Sequence, residues 1–448
     1  MLSMSVSEAA TICGGSVYEL NNDSEISRIV IDSRDVLPGD MFAAYRGEKV
    51  DGHMYISSAL NKGASCVIAE YIPEDVKTGP VIVVDDVQEA VERITCEFRK
   101  RLTIPVIGII GSVGKTTAKE MIWSVLNTKF STHKTKENLN NLIGVPLSLS
   151  AVTSEHEAAV IEMGISHFGE MERLGRMVQP DILVYTLIGH AHLEFLGDLN
   201  GVLKAKTELL PYLPENAVIV INGDDPYQRK ISFARKIISY GKSSDCDVRA
   251  YEISAEDGKM KCIISYNGRN INAVIPSFGD HMIYAALEGA AAGFLLGLSD
   301  DEIAEGIADF STVGRRMAFE DTGYLKLIDD CYNANPDSMR SSIDSLATMD
   351  GKKVCILGDM LEMGEESPQM HFDIGRYAKE KKIDVLVACG TFGEKICEGF
   401  GEGSRYFRTG KDIIEALETI VSKGDTVLVK ASRATRLEEV SDALKLLK

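Results

Sequence analysis

No two of the nine cysteines stand in a CxxC pair, and their number is odd. Both facts argue against a disulfide framework or a zinc site, and a reducing compartment is expected. No segment approaches the ~20 uninterrupted apolar residues that span a bilayer. Met1 to Val17 also lacks a basic stretch followed by an apolar core, so a cytoplasmic protein with no membrane partner is expected. Positive charge is scarce: 48 Lys and Arg stand against 67 Asp and Glu, a formal charge of −19. Phosphate backbones select basic surfaces, which disfavours a duplex nucleic-acid partner; any anionic substrate must be held locally. Internal repeats, low-complexity tracts and an NKxD guanine-reading segment are missing too.

Apolar residues are plentiful, 45% of 448, enough for proper cores in the roughly three domains that this length favours. Short apolar runs end in Gly, Asp, Asn or Ser and alternate with helix-period stretches, the pattern of parallel α/β proteins. Residues 1–86 hold such runs at Ile29–Ile31, Met41–Ala44, Cys66–Ala69 and Val81–Val84 but no nucleotide loop, and read as a small α/β domain. A helical connector, Val87 to Arg101, leads into a central block, 87–312, with strands at Ala158–Ile161, Ile182–Leu187 and Ala217–Ile221. Asp257-Gly258 and Asn267-Gly268 mark hairpin turns, so antiparallel strands are expected there before an Ala-rich helix at Tyr284–Leu296. In 313–448, strands at Leu325–Ile328, Val354–Leu357, Val385–Ala388 and Val427–Val429 alternate with helices, which predicts a Rossmann-like third domain.

One apolar run, Ile107 to Ile110, ends in Gly111-Ser112-Val113-Gly114-Lys115-Thr116-Thr117 and then a helix with Met121, Ile122, Val125 and Leu126 on one face. Glycines let backbone N–H groups close around phosphate oxygens, Lys115 supplies a point charge, and the Thr116 hydroxyl suits Mg²⁺. The full Walker pattern has glycine where this chain has Ile109, so the match is GxxGKTT.

Ligands of open α/β sheets collect beyond the carboxyl ends of strands, which draws attention to the residues just after each run. Glu162 can reach a nucleotide-bound Mg²⁺ or be a solvated strand-end acid. His190 and His192 come after the next strand, where ordinary loop histidines are common. Lys206 reads by default as a helix-surface lysine. The amides of Asn138, Asn140 and Asn141 can bind substrate or cap a turn, and Asp329 to Ser338 forms either a ligand loop or an Asx-turn with a helix cap. Asp32-Ser33-Arg34 and Arg46 to His53 gather basic and hydroxyl groups around turns, as a binding surface or as solvated loops.

In order, these segments resemble the Mur ligase family over nearly the whole chain. GSVGKTT, NLNNLIGVPLSL, EMGISHFGEMERL and AHLEFLGDLNGVLKAKTEL resemble its nucleotide, substrate, metal and histidine–lysine segments. DDCYNANPDSM and LGDMLEMGEES resemble the branch that adds D-alanyl-D-alanine to UDP-N-acetylmuramoyl-tripeptide. The resemblance implies an ATP-dependent amide ligase that works through an acyl phosphate, with those two compounds as small-molecule partners, and a monomer is expected. It implies that Gly111 to Thr117 cradle ATP with Lys115 on its phosphates, that Thr116 and Glu162 serve one Mg²⁺, and that His192 and Lys206 serve a second. Lys206 matches a lysine carbamylated by CO₂; Lys115, Lys206 and His192 are then the catalytic set. Arg316, with Arg315 the adjacent alternative, Asp330 and Asn333 match nucleotide contacts of the third domain. Ser33, Arg46, Asp51, His53, Asn138, Asn140 and Asn141 match precursor contacts. Two departures stand out: Met282 and Ala285 replace two asparagines, the second of which usually helps to hold adenine, and Lys430-Ala431-Ser432-Arg433 lacks a family glycine. A related ligase with another amine acceptor, a P-loop ATPase switch and a binding module without turnover are the rival readings.

Overall fold

Apolar runs flanked by helices assemble into three principal sheets. The computed structural model describes residues 4–20, 22–47, 49–256 and 258–447. The first sheet orders five strands as Ser16–Tyr18, Val81–Val83, Cys66–Ala69, Asp40–Ala43 and Arg28–Val30; only the first pair is antiparallel. Its inner strands are buried on both faces, which is why they are continuous apolar strings without alternation.

The helix Val87–Arg101 has the bounds expected of the connector. It starts at Asp86, whose carboxylate accepts the N–H of Glu89 at 2.8 Å. Its apolar side, Val87, Ala90, Val91, Ile94 and Phe98, is buried with Val6, Ile29, Met41 and Ile68 of the first unit. We therefore place this helix with that unit, so that the division falls after Arg101 and not after Asp86. The far end is tied to the central block: Arg99 donates to the carbonyls of Val178 (2.7 Å) and Gln179 (2.8 Å) and to Asp181 (3.0 Å).

The central sheet has nine strands among the described residues, and Val106–Ile110 lies between Ala158–Glu162 and Ile182–Tyr185, parallel to both. Beyond Lys236–Gly241 the strands Val248–Glu256, Lys259–Tyr266 and Arg269–Ile275 run as an antiparallel meander. Asn267 (φ 49°) and Gly268 (φ 80°) make the second hairpin turn in the left-handed conformations its two-residue loop requires. Asp257 of the first turn, like Glu48, lies outside the described residues. The helix Lys115–Leu126 buries Met121, Ile122, Val125 and Leu126 as expected, each contributing ~1.5–3 kcal/mol. It packs on the helices His281–Leu295 and Asp300–Ala308, where a Cβ on Gly306 would lie 2.4 Å from Val125 Cα. The Ala-rich helix starts at His281, three residues earlier than expected, because Met282 and Ile283 are themselves core residues.

The third sheet is doubly wound: Lys326–Asp330, Thr426–Lys430, Lys353–Leu357, Val385–Cys389 and Ser404–Phe407 are parallel, with Ala318–Asp321 antiparallel at one edge. Alternate side chains feed two cores, Ile328, Leu357 and Leu428 on one face and Leu327, Ile356 and Val429 on the other.

An acid lies within the central core. Glu288 is 3% exposed, and the Tyr240 hydroxyl is 2.6 Å from its Oε1 and 2.8 and 3.0 Å from the carbonyl oxygens of Tyr185 and Thr186. One phenol proton cannot serve three acceptors, so the protons balance when a neutral Glu288 donates to Tyr240 and Tyr240 donates to a carbonyl. Burial pushes the Glu288 carboxyl from the ordinary 4.5 up to about 8, against the opposing hydrogen bond from Tyr240. The folded acid keeps a proton that the unfolded chain has lost, so Glu288 makes stability fall as pH rises between those values. Glu288→Gln should flatten the decline in melting temperature between about pH 5 and pH 8. Calorimetric melts that decline as steeply in the variant as in the parent would show that Glu288 ionises in the fold.

Candidate active site

The phosphate-loop strand ends at the loop Gly111 to Gly114, which is laced to the end of the next strand. Thr186 Oγ1 donates to the Val113 carbonyl (2.5 Å), and the Ser112 N–H donates to the Leu187 carbonyl (2.7 Å). Gly111 makes this approach possible, since a Cβ there would lie 1.9 Å from Thr186 Oγ1. Gly114 (φ 87°) turns the chain into the helix Lys115–Leu126, whose first amides have no partner within the helix and are presented to an anion. Lys115 Nζ donates to the Gly111 carbonyl at 2.9 Å, and Ser112 Oγ is buried with no partner among the described residues. Ile109 lies inside the strand, paired on both sides and fully buried, so the departure from the Walker pattern is a core residue and not a change in the loop.

Glu162 is 2% exposed, which excludes the solvated reading. Thr116 Oγ1 donates to its Oε2 at 3.1 Å, and Asn140 Nδ2 donates to its Oε1 at 2.8 Å. A hydroxyl beside a carboxylate suits Mg²⁺, which takes one or two protein oxygens and completes its shell with phosphate oxygens and water. Larger clusters are absent: no group of three or more His, Cys, Asp or Glu side chains could hold a metal among the described residues. The other amides of the loop divide. Asn141 Oδ1 accepts the N–H groups of Ile143 (3.2 Å) and Gly144 (2.8 Å), a turn that leads into the helix Gly144–Ser150, while Asn138 is exposed. Lys119 was missed by sequence reasoning: it is fully buried, 3.7 Å from Glu162 Oε2. Its one sequence signal is its position three residues after Thr116, on the same helix face.

Lys206 is 1% exposed and not the helix-surface lysine of the default reading. The helix Leu199–Thr207 is held by Asp198, which accepts the Gly201 N–H at 2.8 Å, and the Lys206 carbonyl accepts from Tyr185 at 3.1 Å. Its Nζ has no hydrogen-bond or ion-pair partner among the described residues. Burial first, and the nearby Lys115 ammonium second, hold its basicity well below that of an ordinary lysine. Lys115 is lowered in turn by burial and by Arg316, against the pull of Glu162. His192, in a left-handed conformation (φ 55°), is lowered by burial against an ion pair between its Nδ1 and Glu362 Oε2 at 2.5 Å. Three basic groups therefore lie near one another, each disfavoured in its charged form. A polyanion among them would reverse that.

The third unit joins this cluster across the interface. Arg316 stacks on Tyr332 at 3.7 Å, whereas Arg315 is bound to Asp329 (2.8 Å) and Asp442 (2.7 Å); this leaves Arg316 as the arginine with electrostatic reach to Lys115. Asp337 accepts the N–H of His190 at 2.6 Å and meets its Nδ1 at 3.0 Å. Asp330 is turned inward, accepting from Ser342 (2.6 Å), Lys430 and the Met317 N–H (3.0 Å). Its carboxylate braces the segment that carries Arg316. Asn333 is exposed, and Asn335, not Asn333, caps the helix Pro336–Ala347. A cleft of about 710 Å³ opens beside the His192–Glu362 pair, lined by Leu193, Glu194, Leu361, Met363 and Phe392 among others.

In the first unit, Ser33 is buried, and Arg46 lies 3.6 Å from Asp51 and 5.7 Å over the Tyr71 ring. His53 is 1% exposed: its Nδ1 meets Asp51 at 2.7 Å, its Nε2 accepts the Glu70 N–H at 3.0 Å, and its ring stacks on Tyr71. With both nitrogens in use it has no face for a ligand. The expected contact is corrected to a support for Asp51 and Tyr71.

Comparison with known proteins matches this layout segment by segment: Mur ligase family, catalytic domain, over residues 25–106; Mur ligase middle domain over 109–293; and Mur ligase, glutamate ligase domain, over 315–433. The chain belongs to the Mur ligase family. It is 34% identical to the UDP-N-acetylmuramoyl-tripeptide--D-alanyl-D-alanine ligase of Bacillus subtilis, covering 93% of this chain and 92% of the relative. The Escherichia coli ligase of that name is 32% identical over 99% of each. Among solved structures, MurF from Acinetobacter baumannii superposes with a TM-score of 0.92 at 30% identity over 99% of each chain. MurF from Thermotoga maritima, in complex with ADP, gives 0.84 at 29% identity over 93% and 97%.

This Mur ligase absorbs its departures locally. Ala431, where the family has glycine, is fully buried against Gly358, at which a Cβ would come within 2.8 Å of the Ala431 methyl; a glycine on the facing loop supplies the room. Met282 and Ala285 are buried in the central core and offer no polar group to a base. Among the described residues, no helix is long and apolar enough to cross a membrane. Gly111→Ala should drive the loop off Thr186 and lower ADP affinity at least ~10-fold, about 1.4 kcal/mol, in isothermal titration. Unchanged affinity would show that the Gly111–Thr186 contact does not shape the nucleotide loop.

Proposed function

We propose that this Mur ligase transfers the γ-phosphoryl group of ATP to the free carboxylate of UDP-N-acetylmuramoyl-tripeptide. The amine of D-alanyl-D-alanine then displaces phosphate from the acyl phosphate, giving the cytoplasmic pentapeptide precursor of peptidoglycan. The observation that carries this reading is the convergence of Lys115, Arg316, His192 and Lys206 beside the Thr116–Glu162 pair in an otherwise acidic molecule. Whole-length likeness to ligases named for this reaction, and to a MurF that binds ADP, supports it.

A carboxylate carbon is a poor electrophile and its oxide a poor leaving group; phosphorylation provides phosphate as the leaving group. The first step brings two anions together, so its barrier is chiefly electrostatic. The loop amides hold the phosphates, Lys115 exchanges the Gly111 carbonyl for a phosphate oxygen, and Arg316 adds charge from the third unit. Thr116 and Glu162 would hold one Mg²⁺ and His192 with Lys206 a second, supplying neutralisation of the phosphates beyond what the side chains provide. Lys206 fits carbamylation because its buried amine favours the uncharged, nucleophilic form. Addition of CO₂ makes an N–C bond and releases the amine proton, converting a cation that repels metal into an oxygen ligand. Ser33, Arg46, Asp51 and the loop Asn138–Asn141 take the nucleotide-linked precursor. The cleft beside Glu362, acidic at Glu194 and Glu362, takes the amine-bearing dipeptide.

With ATP, Mg²⁺, D-alanyl-D-alanine and the tripeptide precursor carrying either lysine or diaminopimelate, mass spectrometry should find ADP and pentapeptide in equal amounts. Oxygen-18 in the tripeptide carboxylate should appear in the released phosphate. ADP without pentapeptide sinks the acceptor assignment, and unlabelled phosphate sinks the acyl phosphate. Lys206→Ala should lower kcat by about 100-fold or more, with partial rescue by a short carboxylic acid. ¹³C-bicarbonate should give a carbamate resonance in the parent that the variant lacks; full activity in the variant removes that role.

A further inference from the structure

Lys119 lies one turn beyond Thr116 on the phosphate-loop helix and is 1% exposed. Its Nζ is 3.3 Å from Glu120 Oε1 and 3.7 Å from Glu162 Oε2, and it donates to the Glu137 carbonyl at 3.3 Å. Those partners belong to separate parts of the machinery: Glu162 stands with Thr116 at the phosphate loop, whereas Glu137 belongs to the segment 135–141 that carries the asparagines. Glu137 adopts φ 46°, a left-handed conformation that is unfavourable for a non-glycine residue. The ammonium at its carbonyl offsets that cost.

The same segment is threaded to Glu162 at two other points. Thr135 Oγ1 accepts the Glu162 N–H at 3.0 Å, and Asn140 Nδ2 donates to Glu162 Oε1 at 2.8 Å. Glu120 cannot follow Lys119 if it moves, because its second oxygen is held by Lys134, which stands 3.5 Å over the Trp123 ring. Two lysines thus balance two buried acids. Burying such ions costs more than filling the space with apolar side chains, so stability alone does not account for them.

We propose that Lys119 is a positioning residue that couples segment 135–141 to the divalent-cation site. Its ammonium neutralises Glu162 in the nucleotide-free enzyme. It shifts toward Glu120 and the Glu137 carbonyl when a cation takes the carboxylate, and so transmits cation binding to the segment. This rests on the reading that Thr116 and Glu162 hold Mg²⁺, and not on which precursor the segment meets.

The test is hydrogen exchange by mass spectrometry on the full chain, with ADP plus Mg²⁺ against ADP plus a chelator, alongside ADP titrations over a range of Mg²⁺. In the parent, amide exchange within 135–141 should change about fivefold on adding Mg²⁺. In Lys119→Met that response should fall below about twofold, while the Mg²⁺ concentration giving half-maximal ADP affinity drops because the competing ammonium is gone. Lys119→Arg should keep the response. If Lys119→Met does not fold, Lys119→Met with Glu120→Gln restores the charge balance and is read in the same way. A merely structural lysine would alter the melting temperature without moving the Mg²⁺ midpoint. A full response in the methionine variant, or a parent segment that ignores Mg²⁺ although ADP binding tightens, overturns the coupling. ADP binding in the parent that is indifferent to Mg²⁺ overturns the cation-site reading itself, and the coupling with it.

Discussion

Lys115, Lys206 and His192 are brought together where burial disfavours the charged form of each, Lys115 further weakening Lys206 and both lysines weakening His192. Such an arrangement works against folding, and the parallel sheet imposes it: the strand before the phosphate loop has Ala158–Glu162 on one side and Ile182–Tyr185 on the other, so all three carboxyl ends open onto one spot. Arg316 adds to the repulsion from a different sheet. Surface acids elsewhere give the molecule its negative balance, and the site is a local exception to it. A polyphosphate matches that exception in sign, and its arrival replaces mutual repulsion with attraction.

The inner strands were legible because strands buried on both faces leave an unbroken apolar string, whereas Ala318–Asp321 and Ser404–Phe407 at the edges are too exposed to do so; the helix Val87–Arg101 was legible because Asp86 announces its start and basic residues its end. The hairpin at Asn267-Gly268 was legible for a similar local reason. Burial of side chains was not. Lys206 and Lys119 occupy helices whose sequence allows an outward lysine, and only tertiary packing turns them inward; resemblance to a family pointed to the first, and only helical spacing from Thr116 to the second. Asn141, His53 and Asp330 show the reverse limit. Their positions near the site were readable, but whether a polar group faces a ligand or its own backbone depends on angles that spacing does not fix.

His190 with Asp337 and His192 with Glu362 join the central and third units at the site, and both use the loop after Ile182–Tyr185. The loop that orients His192 is therefore the one that receives the third unit. Arg316 reaches the phosphate side from a segment pinned by Asp330 and Lys430, so rotation of that unit moves the arginine as part of a rigid block. The cleft of about 710 Å³ is lined from both units beside the same loop, by Leu193 and Glu194 on one side and Leu361 and Met363 on the other.

The hydrogen bond from Lys115 to the Gly111 carbonyl has a thermodynamic consequence. A side chain already fixed to its own turn has surrendered most of its rotamer freedom before any nucleotide arrives. Capture is then an exchange of one acceptor for another, with a small entropy change at this residue and an enthalpy set by the difference between a neutral carbonyl and a charged oxygen. Discrimination between nucleotides and neutral ligands is correspondingly steep, because a ligand without that charge has nothing to offer in trade.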